Sequence, residues 1–193
     1  MTFNAVQAVV HAFLNSSWLS TVYVSVNAYR SLFPVKLIER ECLTAMSNPL
    51  MDRSLATVGE MCFAKQLSDS LYAPSWVVFY AWAAQLCAWY GTLTKDYLFL
   101  VYSETLWFMI GYIYYVRSAD YSTAKVISAI YCFYMFWVHI PLYAYRFIET
   151  DPVPLEVGML DVQQCVKGTD WDDEYVWRTG YFVGGSWVSI FLG

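Results

Sequence analysis

Charge along this chain is confined to a few stretches, and the intervals between them are long and apolar. Residues 1–29 carry no charge, 25 uncharged residues separate Asp69 from Lys95, and VISAIYCFYMFWVHIPLYAY fills the interval from Lys125 to Arg146. A bilayer-spanning helix needs about 20 mostly apolar residues. The pattern predicts about six such helices, about 5–29, 49–72, 75–93, 97–116, 124–146 and 174–193, or five if the charged second one does not span. The expected fold is one all-α membrane bundle over residues 1–193 with no sheet, because lipid leaves a helix as the way to satisfy this backbone.

Local signals sharpen the ends. Asn48 and Pro49 read as the N-cap and first residue of the second helix, and Pro74 precedes the third. Pro141 cannot donate to the carbonyl of Trp137, which predicts a kink beside His139. Two connections are long. Residues 30–48 hold Arg30, Lys36 and Arg40, and the acidic loop 147–173 holds seven carboxylates. Within the second, residues 154–166 read as a short interfacial helix stopped by Gly168. Thr169 or Asp170 caps the last helix, and the acids that follow suit its dipole.

Composition agrees with that pattern. Hydrophobic residues make up 59% of the 193 residues and charged residues 14%, with 9 Trp, 17 Tyr and 12 Phe. Soluble domains carry about 25% charge. A disordered chain and a basic nucleic-acid binder are excluded. The net charge of -5 offers no polybasic patch. Residues 1–29 lack the positive start of a signal peptide and the arginines of a transit peptide. The five cysteines form no CxxC pair, so they read as buried, inert thiols rather than as disulfides or zinc ligands. Counting Lys and Arg, seven against three favour a non-cytoplasmic N-terminus. The sequon at Asn15 sits inside the first span and is discounted.

Polar groups inside a bilayer are costly and mark function by default. On the first span Asn4, Gln7, His11 and Asn15 form a stripe that continues through Trp18, Ser25 and Tyr29. On the second, Arg53 and Glu60 share a face about 10 Å apart along the axis, far for a direct pair unless the Arg side chain closes the gap. Lys65 and Asp69 near its end read as solvated. Glu104 shares a face with Tyr97, Trp107, Gly111 and Tyr115, and His139 shares one with Ser128, Cys132, Met135 and Tyr143.

Depth arithmetic puts Glu104 and His139 at one level, with Glu60 and Gln85 a little deeper. The expected site is an aromatic-lined interior cavity. In it Glu60, Glu104 and His139 supply acid–base chemistry, and Arg53, Gln85, Trp107 and Tyr143 hold the substrate. His11 and His139 differ in depth, which opposes a bis-His haem. The last helix lacks the lysine a retinal protein needs, and no metal or other cofactor is expected.

Three functions fit this reading. One is an intramembrane acid–base enzyme acting on a lipid-like or isoprenoid molecule. The second is a structural subunit or assembly factor of a membrane complex, and the third is a proton-coupled carrier. The expected partners are the bilayer, a lipid-like ligand, and another membrane protein or a second copy. Nucleic acid is not among them.

Overall fold

The computed structural model describes residues 6, 7, 9, 10, 13, 17–70, 76–148, 150–168 and 171–192, with the backbone alone over 172–177. Helices dominate: α1 (Trp18–Leu32), α2 (Pro49–Ser70), α3 (Trp76–Thr94), α4 (Tyr97–Arg117), α5 (Thr123–Tyr134), α6 (Ile140–Ile148), α7 (Leu155–Asp161) and α8 (Asp172–Leu192). A π-helical turn, Met135–His139, joins α5 to α6, so Thr123–Ile148 is one continuous rod. Among the described residues this rod is the one helix that is both long and apolar enough to cross a membrane by itself. Of the others, α1 and α7 are too short, and α2, α3, α4 and α8 carry too much charge, or too many Tyr, Trp and small residues, to meet that measure alone.

The expected absence of sheet is corrected. Strands β1 (Val35–Lys36), β2 (Glu41–Cys42) and β3 (Val166–Lys167) form a three-stranded sheet in that order. β1 and β2 pair antiparallel, and β2 and β3 parallel, with Glu41 opposite Val166. These two-residue strands lie in the connections, where the helix-only constraint of lipid does not act. The hairpin turns through Arg40 at φ 57°.

The cysteine reading is corrected as well. Cys42 and Cys165 form a disulfide across β2 and the start of β3, with their Cα atoms 5.7 Å apart. The two cysteines are 123 residues apart and meet where β2 pairs with β3, and cysteine spacing alone does not reveal such a contact. Cys62, Cys87 and Cys132 are free thiols. The interfacial helix is shorter than expected, ending at Asp161 because 166–167 are drawn into the sheet. Gly168 therefore follows a strand rather than ending a helix, and a Cβ there would meet Glu41 at 2.8 Å.

The chain divides into two compact units, Met1–Gln66 with Leu160–Gly193, and Leu67–Met159. In the first, α1 packs against α8, and α2 lies against α1 through Tyr23 stacked on Phe63 at 4.7 Å and Gly59 against Val26. Asn48 accepts from the Met51 amide at 3.0 Å, the N-cap the sequence predicts. The predicted cap of α8 at Thr169 or Asp170 lies outside the described residues.

The polar stripe of the first span needs correction. Asn4, His11 and Asn15 lie outside the described residues, and Gln7 and Tyr29 are half-buried, but Trp18 and Ser25 are exposed. The buried stripe is Ser20, Tyr23, Asn27 and Arg30. Ser17 is extended (φ -100°, ψ 128°), so helical phase carried from residue 4 is lost there.

In the second unit α3 and α4 form an antiparallel hairpin. Lys95 takes the left-handed conformation at φ 57°, and the Asp96 amide reaches back to the Gly91 carbonyl at 3.0 Å, closing α3 in a Schellman turn. The Asp96 side chain then caps α4 at the Leu98 amide. α4 packs on α5, α6 and the π turn. α7 leans on the hairpin end, where Val153 donates to Thr94 at 2.8 Å.

Candidate functional site

Glu104 on α4 and His139 at the end of the π turn meet, with Nδ1 of the imidazole 3.1 Å from Oε2 of the carboxylate. The imidazole is 2% exposed and the Glu104 side chain 15%. Local structure explains how His139 comes inward. The π turn closes from the Ile140 amide to the Met135 carbonyl. That one extra residue turns Met135 and His139 inward while Phe136, Trp137 and Val138 face outward. The bend expected at Pro141 is thus taken up one turn earlier, as a widened turn. Tyr134 stacks on the imidazole at 5.8 Å and Tyr143 tilts against it at 5.0 Å. Tyr97 lies beyond Tyr143 at 5.8 Å.

Gly111, two turns along α4 from Glu104, lets α5 close in; a Cβ there would meet the Tyr131 ring at 2.4 Å. Trp107 and Gln85 are both buried in this unit, on α4 and α3. A cleft of about 460 Å³ opens in the same unit, lined by Trp76, Tyr80, Tyr112, Ile113, Val116 and Arg117. Neither Glu104 nor His139 lines it.

Glu60 belongs to the first unit, where it joins a network of four buried charges. Arg30 grips Asp52 with two N–H groups at 3.0 and 3.2 Å and reaches Glu60 at 3.7 Å. Arg53 contacts the other oxygen of Glu60 at 3.4 Å, so its side chain does span the two turns between them. Two cations and two anions balance, as burial demands. The Phe182 ring lies 5.1 Å from the Arg30 guanidinium carbon. Polar pairing continues along the α1–α8 seam. Asn27 donates to Ser186 at 3.3 Å, and Ser189 sits between Ser20 at 2.8 Å and Gln66 at 2.6 Å.

Arg30 and Asp52 were missed in the sequence, Arg30 having been assigned to the basic connection. A signal existed, since Arg30 falls three residues after Asn27 and extends the Ser20–Tyr23–Asn27 spacing. Lys65 and Asp69 are exposed, in keeping with their expected solvation. Among the described residues no group of three or more His, Cys, Asp and Glu gathers as metal ligands. No family model, curated protein or solved structure matches this chain.

Chemically, the Glu104–His139 couple can hold or pass a proton. The contact brings a carboxylate and an imidazole, the two commonest acid–base groups, within reach of each other in a buried setting. The first-unit network is self-neutralised and suits holding helices together.

Proposed function

We propose that the chain is a multi-pass membrane protein that uses Glu104 and His139 for acid–base chemistry on an apolar, lipid-like molecule. One observation carries the reading. The rod Thr123–Ile148 exposes Val126, Ile130, Phe133, Phe136 and Trp137 while it buries Ser128 and His139. Large apolar groups outside and polar groups inside suit a helix surrounded by lipid. The same inversion runs along α3, where Phe79, Trp82 and Leu86 are more than half exposed and Ala81, Ala84, Gln85 and Ala88 are buried. In water such a contiguous apolar surface would drive association. Six spans remain the proposed count, with α2 sheltered by its neighbours because it carries Asp52, Arg53 and Glu60.

The disulfide supports an orientation opposite to the one that the Lys and Arg count favours. Disulfides persist in oxidising compartments, so the connections holding Cys42 and Cys165 belong on the non-cytoplasmic side, and the start of α1 on the cytoplasmic side. Arg30 and Arg53 are buried in ion pairs. Removing them from the seven leaves five against three, a weak bias.

The test is mass spectrometry of the apolar extract from full-length protein purified in mild detergent, compared with Glu104→Gln and His139→Asn. An apolar species enriched over bulk lipid, and changed in abundance by either substitution, is expected. Identical extracts from all three proteins would overturn the enzymatic reading. They would favour a structural subunit, which the self-neutralised network of the first unit also supports.

A further inference from the structure

The 460 Å³ cleft of the second unit lies apart from the acid–base couple in its lining, and its residues have a chemistry of their own. It is formed where the beginning of α3, with Trp76 and Tyr80, meets the last turns of α4, with Tyr112, Ile113, Val116 and Arg117. We propose that it binds the headgroup of an anionic phospholipid of the surrounding bilayer, an inference that rests on the membrane reading above.

Charge complementarity carries the choice of ligand. Arg117 is the one charged residue in the lining. Its guanidinium carbon lies 5.7 Å from the Trp76 ring centroid. That distance is within cation–π range, and the planar N–H fork of a guanidinium suits the paired oxygens of a phosphate. Among the described residues Arg117 makes no ion pair. Asp120, the nearest acid along the chain, is taken up by Lys125. Among the described residues the cation therefore has no internal anion to satisfy it.

The rest of the lining fits the same molecule. Tyr80 and Tyr112 add phenol groups that can donate to phosphate or glycerol oxygens. Ile113 and Val116 give an apolar wall for the start of an acyl chain. Position agrees as well, because Arg117 closes α4, and the turn beyond it exposes Asp120 and Tyr121. Tyr, Trp and Arg at a helix end are the groups that sit at headgroup level. A zwitterionic lipid would bring its own ammonium to this cation and gain less.

The experiment is native mass spectrometry of the full chain released from nanodiscs and titrated with phosphatidylglycerol, phosphatidylcholine or oleate. Phosphatidylglycerol should form an adduct at about tenfold lower concentration than phosphatidylcholine, the scale of a charge-assisted contact. Arg117→Gln should remove that preference, and Trp76→Leu should weaken it. Circular dichroism of both variants shows whether they fold. An Arg117-dependent oleate adduct without a phosphatidylglycerol preference would overturn the phospholipid assignment. Equal adducts in wild type and Arg117→Gln would overturn the site. A chain that does not enter nanodiscs would overturn the membrane reading itself. Failure of the Glu104–His139 chemistry would leave the Arg117 dependence standing.

Discussion

Arg30 holds both carboxylate oxygens of Asp52, at 3.0 and 3.2 Å, with the Asp52 side chain 1% exposed. This pair fixes the end of α1 against the start of α2. Its geometry makes the cost of breaking it asymmetric. Asp52→Ala leaves a buried guanidinium that, among the described residues, has Glu60 to share with Arg53, and should destabilise by about 3–5 kcal/mol. The double variant Arg30→Met/Asp52→Leu should lose much less. Apparent melting temperatures of the three proteins in one detergent check both statements.

Gly158 on α7 has no room for a side chain, since a Cβ there would lie 1.6 Å from the Leu93 carbonyl oxygen. Backbone cannot swing aside as a ring can. Gly158→Ala should push α7 off the α3–α4 turn and break the Val153–Thr94 hydrogen bond, costing on the order of 1–3 kcal/mol. Hydrogen exchange at the Val153 amide should accelerate. Gly111→Ala meets side-chain atoms rather than backbone, the Tyr131 ring at 2.4 Å and Cys132 Sγ at 3.4 Å, and should cost less.

Reduction of the Cys42–Cys165 disulfide should lower stability without unfolding the helices. For a loop longer than about 100 residues the chain-entropy model gives up to about 5 kcal/mol. Cys42→Ser and Cys165→Ser should behave alike, and neither should add to the other. Thermal unfolding with and without reductant measures the loss. A faster-migrating band on non-reducing gels, absent from both variants, shows the bond.

The exposed Asp120 carboxyl is held below the usual carboxylate range, first by its hydrogen bond from Lys125 and then by that side chain's charge. A depressed folded pKa means that the pair's contribution is present above the unfolded value, about 3.9, and is lost as pH falls through the lower folded one. Asp120→Asn should therefore flatten only the acid end of a stability–pH curve. The Asp120 carboxyl carbon, followed by NMR, should titrate below an unpaired aspartate.

The helices from residue 49 onward were legible because charge-free intervals and capping residues are local signals. Asn48, Pro49 and Lys95 fall within two or three residues of the ends they mark. What the chain hid was non-local or phase-dependent. The Ser17 break shifted the inward face of α1 from Trp18 and Ser25 to Ser20, Tyr23 and Asn27. The strand pairing that joins Cys42 to Cys165 has no local counterpart. Glu104 and His139 were placed at one level by counting turns, yet the contact itself depends on the extra residue of a π turn, which Pro141 alone did not specify. Glu60 found its partners in Arg53 and in Arg30, a residue hidden by being assigned to a loop.

Between Cys42 and Cys165 lies the whole of the second unit, residues 67–159. Covalently the chain is thus a ring with two tails, and the tails leave from neighbouring strands. α1 lies on one tail and α8 on the other, and these two helices pack together. A backbone nick anywhere inside the ring opens it without releasing a piece, because the tails stay joined through sulfur. Only a reductant would then break the last covalent link between the two halves, so protease and reductant are both required, in either order, before this chain is divided.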